Sequence, residues 1–169
     1  MKRSWLLALT LIPLHSAAEG PHDERHWAQW RGPLDTGVAP KAAPPVEWSE
    51  SRNIRWKIPL PGEGHSSPIV WGDRIYLTAA IPHGQPVAPA TGVRPGAHDN
   101  ILKVRPMKFV VLAVDRATGK IIWQTTVRDS IPHESRHDTG SYASASPITD
   151  GRHIYAFFGS NGLYALNRD

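Results

Sequence analysis

One stretch of this sequence occurs twice, and that limits the folds open to it more than any other feature. Ser67-Pro68-Ile69-Val70-Trp71-Gly72-Asp73-Arg74-Ile75-Tyr76 aligns without a gap with Ser146-Pro147-Ile148-Thr149-Asp150-Gly151-Arg152-His153-Ile154-Tyr155, 79 residues on. Two further elements recur at other spacings. Leu112-Ala113-Val114-Asp115-Arg116 matches Tyr164-Ala165-Leu166-Asn167-Arg168, and Ile54-Arg55-Trp56-Lys57 is echoed by Ile121-Ile122-Trp123-Gln124. A constant unit joined by connections of varying length belongs to a repeat architecture. Units built only from strands and turns read as propeller blades or a β-solenoid. The 14 glycines and 16 prolines are scattered along the chain, which disfavours long helices and suits short strands.

Each unit resolves into a four-stranded antiparallel meander. Pro68 to Trp71 is an apolar strand opening on a proline, where a missing N–H is tolerated. Gly72-Asp73, and Asp150-Gly151 in the second copy, are hairpin turn signals. Arg74 to Ala79 alternates polar and apolar residues as a second strand. Phe109 to Val114 is apolar throughout, as expected of a third strand covered on both faces. Asp115 to Gly119 is a turn, with the Asp115 carboxylate placed to accept backbone N–H bonds and Gly119 free to take positive φ. Lys120 to Val127 is the fourth strand, and Trp123 offers a large face to a neighbouring sheet. The expected fold is all-β, a partial propeller of roughly two blades. It comprises a lone fourth strand at Asn53 to Ile58, one complete unit, and three strands of another.

The first residues read as an address. Lys2 and Arg3 precede an apolar run from Trp5 to Leu14, too short to span a bilayer, and Ser16-Ala17-Ala18 supplies small residues for signal-peptidase cleavage after Ala18. The expected organisation is a signal peptide at 1–18, an N-terminal arm at 19–52 and the partial propeller at 53–169, with a periplasmic or secreted destination. Losing Lys2 and Arg3 lowers the net charge from +4 to +2, which gives no electrostatic reason to expect nucleic acid. After residue 18 the longest purely apolar run is Phe109 to Val114, so no membrane span is expected. The absence of cysteine excludes disulfides, thiolate metal sites, a cysteine nucleophile and lipid attachment through cysteine.

Function leaves a fainter trace. In a meander blade, the connection between strands two and three and the crossover to the next blade emerge on one face. The long connections 59–66, 80–108 and 128–145 all fall there, whereas the opposite-face turns are minimal. In the second unit the counterpart of 80–108 shrinks to Phe158 to Gly162, so its length is an insertion. Long loops on a rigid scaffold are where binding groups sit. His65, His83, His98, His133 and His137 lie on them. His133 and His137, with Glu134 and Asp138, have metal-ligand spacing only if their segment is helical, and loop histidines in water are the simpler reading. There is no His-Glu-x-x-His, no Gly-x-Ser-x-Gly and no phosphate loop. Ser141, Ser144 and Ser146 suit close packing. Trp27 and Trp30 suit either stacking on a sugar or base, or pinning the arm to the sheets.

Ala113-x-Asp115-x-x-Thr118-Gly119-x-x-x-Trp123 resembles the tryptophan-docking motif of the PQQ-like β-propeller repeat family. Trp27-x-x-Trp30-Arg31-Gly32-Pro33, Ile54-x-Trp56-Lys57 and Ser66-Ser67-Pro68 are similar to its exported members. The structural motif residues are then Ser67, Pro68, Gly72, Ala113, Asp115, Thr118, Gly119 and Trp123, with Ser146, Pro147 and Gly151 in the second unit. Asn167 stands where the motif has aspartate. The family includes quinoprotein alcohol dehydrogenases and the outer-membrane assembly propeller. The resemblance therefore implies three roles: a binding or interaction scaffold for a protein or small-molecule partner, part of a dehydrogenase using PQQ with calcium, or an envelope assembly factor. With no acid, base, nucleophile or metal set visible, the scaffold is the expected role and no catalytic residue is assigned.

Overall fold

The structure, a computed structural model, describes residues 22–90 and 103–169. Seven strands form two antiparallel sheets. The first is a four-stranded meander, β1 (Ile69–Trp71), β2 (Arg74–Pro82), β3 (Met107–Asp115) and β4 (Ile121–Ser130), ordered as in the chain. The second has three strands, β5 (Ile148–Thr149), β6 (His153–Phe157) and β7 (Leu163–Asn167). One 3-10 turn, Gly159–Asn161, joins β6 to β7. These are adjacent blades of a β-propeller, the first with all four strands and the second with three among the described residues. The repeated sequence occupies the same place in both, since Ile69 pairs with Tyr76 as Ile148 pairs with Tyr155.

The apolar run in β3 is buried on both faces because both faces are covered. Phe109 through Val114 are at most 1% exposed. Phe109, Val111 and Ala113 join Ile69 and Tyr76 in a core completed by Ile154, Ala156 and Phe158 of the second sheet. Val110, Leu112 and Val114 join Leu77 on the other face, where Trp56 and Ile58 pack. Each such side chain contributes about 1.5–3 kcal/mol by leaving water, so the interface between blades is a main source of stability. Trp123 is partly buried against this core, with its ring 6.0 Å from that of Tyr76 in the same sheet.

The turns follow the chemistry of their residues. Asp115 Oδ1 accepts the Thr118 N–H at 2.7 Å and the Thr118 hydroxyl at 2.6 Å, and Gly119 has φ +75°. A Cβ on Gly119 would lie 2.7 Å from Trp56 Cδ2, so the indole rests on the bare glycine and donates Nε1–H to the Arg116 carbonyl at 3.1 Å. Gly151, at φ +88°, sits under Trp71 in the same way.

Two expectations need correction. Residues 53–58 are not a strand: no strand pairs with them among the described residues, and Trp56 and Ile58 hold the segment to the first sheet by their side chains. The long connections are shorter than 80–108 and 128–145, because pairing continues to Pro82↔Met107 and Met107↔Ser130. Alternation broke down at these ends, although the backbones still reach each other. The signal peptide at 1–18 and His98 lie outside the described residues.

Candidate binding face

Strand direction decides what can meet. β1, β3, β5 and β7 begin, and β2, β4 and β6 end, at one end of the sheets, so residues 59–66, 83–90, 103–106, 131–147 and 158–162 gather there. The other end carries the tight turns around Gly72, Gly119 and Gly151, with His26 and Trp56 packed against them. A cavity of about 350 Å³ lies there between the Gly72 turn and the end of β7, lined by His26, Trp71, Asp73, Arg74 and Arg168.

Three cavities open on the loop-bearing end. The largest, about 470 Å³, lies between the 131–147 loop and the β6–β7 turn, lined by Glu134, Arg136, His137, Ser141, Phe158 and Asn161. A second, about 340 Å³, is bounded by Glu63, Pro82, Lys103, Met107, Arg136 and Tyr142. The third, about 380 Å³, lies where the inner strands begin and is lined by Trp30, His65, Ser67, Ser144 and Ser146. The repeat appears there as a direct bond: the Ser67 N–H donates to Ser146 Oγ at 2.9 Å, joining equivalent serines of the two units.

Arg136 organises this end. It donates to Glu63 Oε2 at 2.7 Å, to the carbonyls of His137, Asp138 and Gly140, and lies 5.7 Å from the Tyr142 ring centroid. A half-buried guanidinium with several acceptors ties the loop to the strand-like segment at Glu63, and its charge is locally balanced. Sequence reasoning missed it, because an arginine in a loop carries no local sign of acceptors 73 residues away.

The singled-out histidines separate. His65 lines the inner cavity. His83 Nε2 pairs with Asp129 Oδ1 at 2.7 Å. His133 and His137 lie on a loop rather than a helix, so the condition for their ligand spacing is not met, and His137 Nδ1 is instead 2.7 Å from Thr139 Oγ1 and 3.0 Å from Asp138 Oδ1. Among the described residues, no three His, Asp or Glu side chains converge as a metal site. Calcium demands several oxygen ligands, usually including carboxylates, and the inner cavity presents serine hydroxyls but no carboxylate. The inner cavity by itself therefore does not supply a calcium site.

The docking-motif residues sit at the opposite end, where their chemistry is structural. Hydrogen bonds from the Thr118 hydroxyl and N–H hold the Asp115 carboxyl below the usual aspartate range. Asp150 is lowered by the N–H groups of His153 and Arg152 and also accepts the Tyr155 hydroxyl, which is itself raised by that bond.

The two arm tryptophans part company. Trp27 pairs with Val70 through two backbone bonds of 2.8 Å, and the next carbonyl, of Ala28, accepts the Thr149 N–H at 3.0 Å. The arm thus staples β1 to β5. His26 adds a stack on Trp71 at 4.0 Å and accepts the Gly72 N–H at 3.2 Å. Trp30 is 62% exposed at the mouth of the inner cavity. Trp27 therefore pins the arm, while Trp30 lies exposed with the Arg31 guanidinium 5.7 Å over its ring.

No helix of the described residues is long and apolar enough to cross a membrane. Residues 45–169 match a PQQ-repeat family model described as outer membrane protein assembly factor BamB. No curated protein and no solved structure matches the chain.

Proposed function

From the premise that this chain belongs to the PQQ-repeat β-propeller family, we propose that it is an exported binding scaffold whose loop-bearing end is the contact surface. The supporting observation is the asymmetry between the two ends. The longer connections and three cavities lie at one end, whereas the other is formed by minimal turns and holds one cavity of about 350 Å³ beside the Gly72 turn. Concave surfaces with aromatic and hydrogen-bonding walls suit ligand or partner binding. Trp30, His65 and Tyr142 are the side chains we place at the contact. Export through the leader at 1–18, with cleavage after Ala18, would deliver the chain to the periplasm or the exterior.

The test is differential capture from an envelope extract on the immobilised chain. Trp30→Ala and Tyr142→Ala should lose bound material that a turn-end variant, Lys120→Glu, keeps. Loss in the turn-end variant alone would refute the assignment of the face.

A role in outer-membrane protein assembly is the second reading, favoured by the family description over residues 45–169. Recovery of barrel-assembly machinery, again lost with Trp30→Ala, would select it. Titration with PQQ and Ca²⁺ tests the dehydrogenase reading, which requires saturable binding and a raised melting temperature.

A further inference from the structure

The two units share a hollow between the connection that enters the first strand and the one that joins the second to the third. In the first unit Pro86, Val104 and Arg105 of the β2–β3 connection line it, and its volume is about 340 Å³. In the second, residues 158–162 make only a short turn and the hollow widens to about 470 Å³, walled by residues 134–145 and 157–161. Asn161 stands 79 residues after Pro82, the repeat spacing, so an amide replaces an apolar ring in the wall.

That amide is held in place by its own turn. The Asn161 N–H donates to the Phe158 carbonyl at 3.1 Å, and the Asn161 carbonyl accepts the Tyr164 hydroxyl at 2.7 Å. Asn161 is 3% exposed, yet its Oδ1 meets no donor among the described residues. Buried polar atoms are nearly always bonded, so this oxygen is an acceptor in need of a donor. Next to it the Ser160 hydroxyl donates to Glu134 Oε1 at 2.9 Å, which draws the loop carboxylate to the same turn. On the loop side the Ser141 and Ser144 hydroxyls lie 3.1 Å apart, and either can give or take. Arg136 spends its N–H groups on Glu63 and on loop carbonyls.

We propose that this cavity is a saccharide subsite that takes the pyranose end of a neutral oligosaccharide, an inference that rests on the reading of the loop-bearing end as the contact surface. Donors and acceptors decide the class. An ammonium only donates, so it would leave the serine hydroxyls unanswered beside the Arg136 charge. A carboxylate or phosphate only accepts, and would face Glu134. A hydroxyl does both. Neighbouring ring hydroxyls give their protons to Asn161 Oδ1 and the Glu134 carboxylate, and another exchanges bonds with Ser141. Tyr142 and Phe157 supply an apolar flank for the C–H face of the ring. The volume falls within the range of roughly 300–1,000 Å³ usual for small-molecule sites.

Saturation-transfer NMR on the full chain tests this, with cellobiose, maltose and N,N′-diacetylchitobiose as neutral probes and spermidine and glucose 6-phosphate as charged ones. At least one neutral probe should bind saturably and shift the amide signals of Ser160 and Asn161. Glu134→Gln keeps the shape of the side chain and an oxygen for Ser160 but loses the charge, and should weaken binding about tenfold. Ser160→Ala, which releases Glu134 from the turn, should weaken it less. Trp30→Ala should leave saccharide binding unchanged, because Trp30 lines the inner cavity instead. Binding of no neutral probe, tighter binding of a charged one, or an affinity that ignores both Glu134→Gln and Ser160→Ala would overturn the proposal. Envelope capture that still depended on Trp30 would then leave the contact-face reading standing without it.

Discussion

Replacing Gly151 by alanine tests whether indole-on-glycine seating holds the blades together. Gly151 has φ +88°, and an added Cβ would fall 2.5 Å from Trp71 Cζ2. Ordinary contact begins near 3.4 Å, so one partner must give by almost an ångström. Trp71 cannot easily retreat, because it is 5% exposed and His26 stacks on it at 4.0 Å. Left-handed backbone costs alanine about 1–2 kcal/mol, and forcing a group into a packed core adds about 1–3 kcal/mol. The expected total is about 3 kcal/mol, which lowers Tm by about 6–12 °C in a protein of this size. Gly72→Ala is the control. Its φ is +60°, yet nothing lies within 4 Å of its Cβ, so it bears the backbone strain alone. Any stiffening of the unfolded chain on losing glycine is common to both variants. Urea and thermal unfolding by circular dichroism, with the near-ultraviolet tryptophan band as a local probe, should separate them by about 1–3 kcal/mol. Equal losses would refute the reasoning and reduce the seat to a turn preference.

Trp56→Phe keeps a ring on Gly119 but deletes the bond to the Arg116 carbonyl, and should cost about 0.5–1.5 kcal/mol in urea unfolding; Trp56→Ala should cost more. Asp115 and Asp150 are both lowered when folded, so their stabilisation is present above the ordinary aspartate value of 3.8 and is lost as pH falls through the folded values. The double variant Asp115→Asn, Asp150→Asn should therefore flatten the acid limb of stability against pH, with the gap to wild type closing at the lowest pH. Arg136→Gln should speed proteolysis within 131–147 while leaving Tm almost unchanged, because the guanidinium anchors a loop rather than the inter-blade core.

The sequence alone determined what local chemistry dictates. Glycine at a positive-φ turn, aspartate accepting nearby N–H groups and an apolar run in a third strand are each specified within a few residues, so Gly119, Asp115 and Phe109 to Val114 were legible before any fold was known. The repeat carried the same information twice and thereby gave the blade. Tertiary structure decided which partners meet. That Gly119 seats Trp56 and not Trp123, that Trp27 and Ala28 pair with the inner strands of both sheets, and that Arg136 reaches Glu63 depend on surfaces far apart in the chain. Residues 53–58 show the limit most clearly. Their pattern is that of a strand, but a strand exists only where another backbone takes up its hydrogen bonds, and here side-chain packing holds the segment instead.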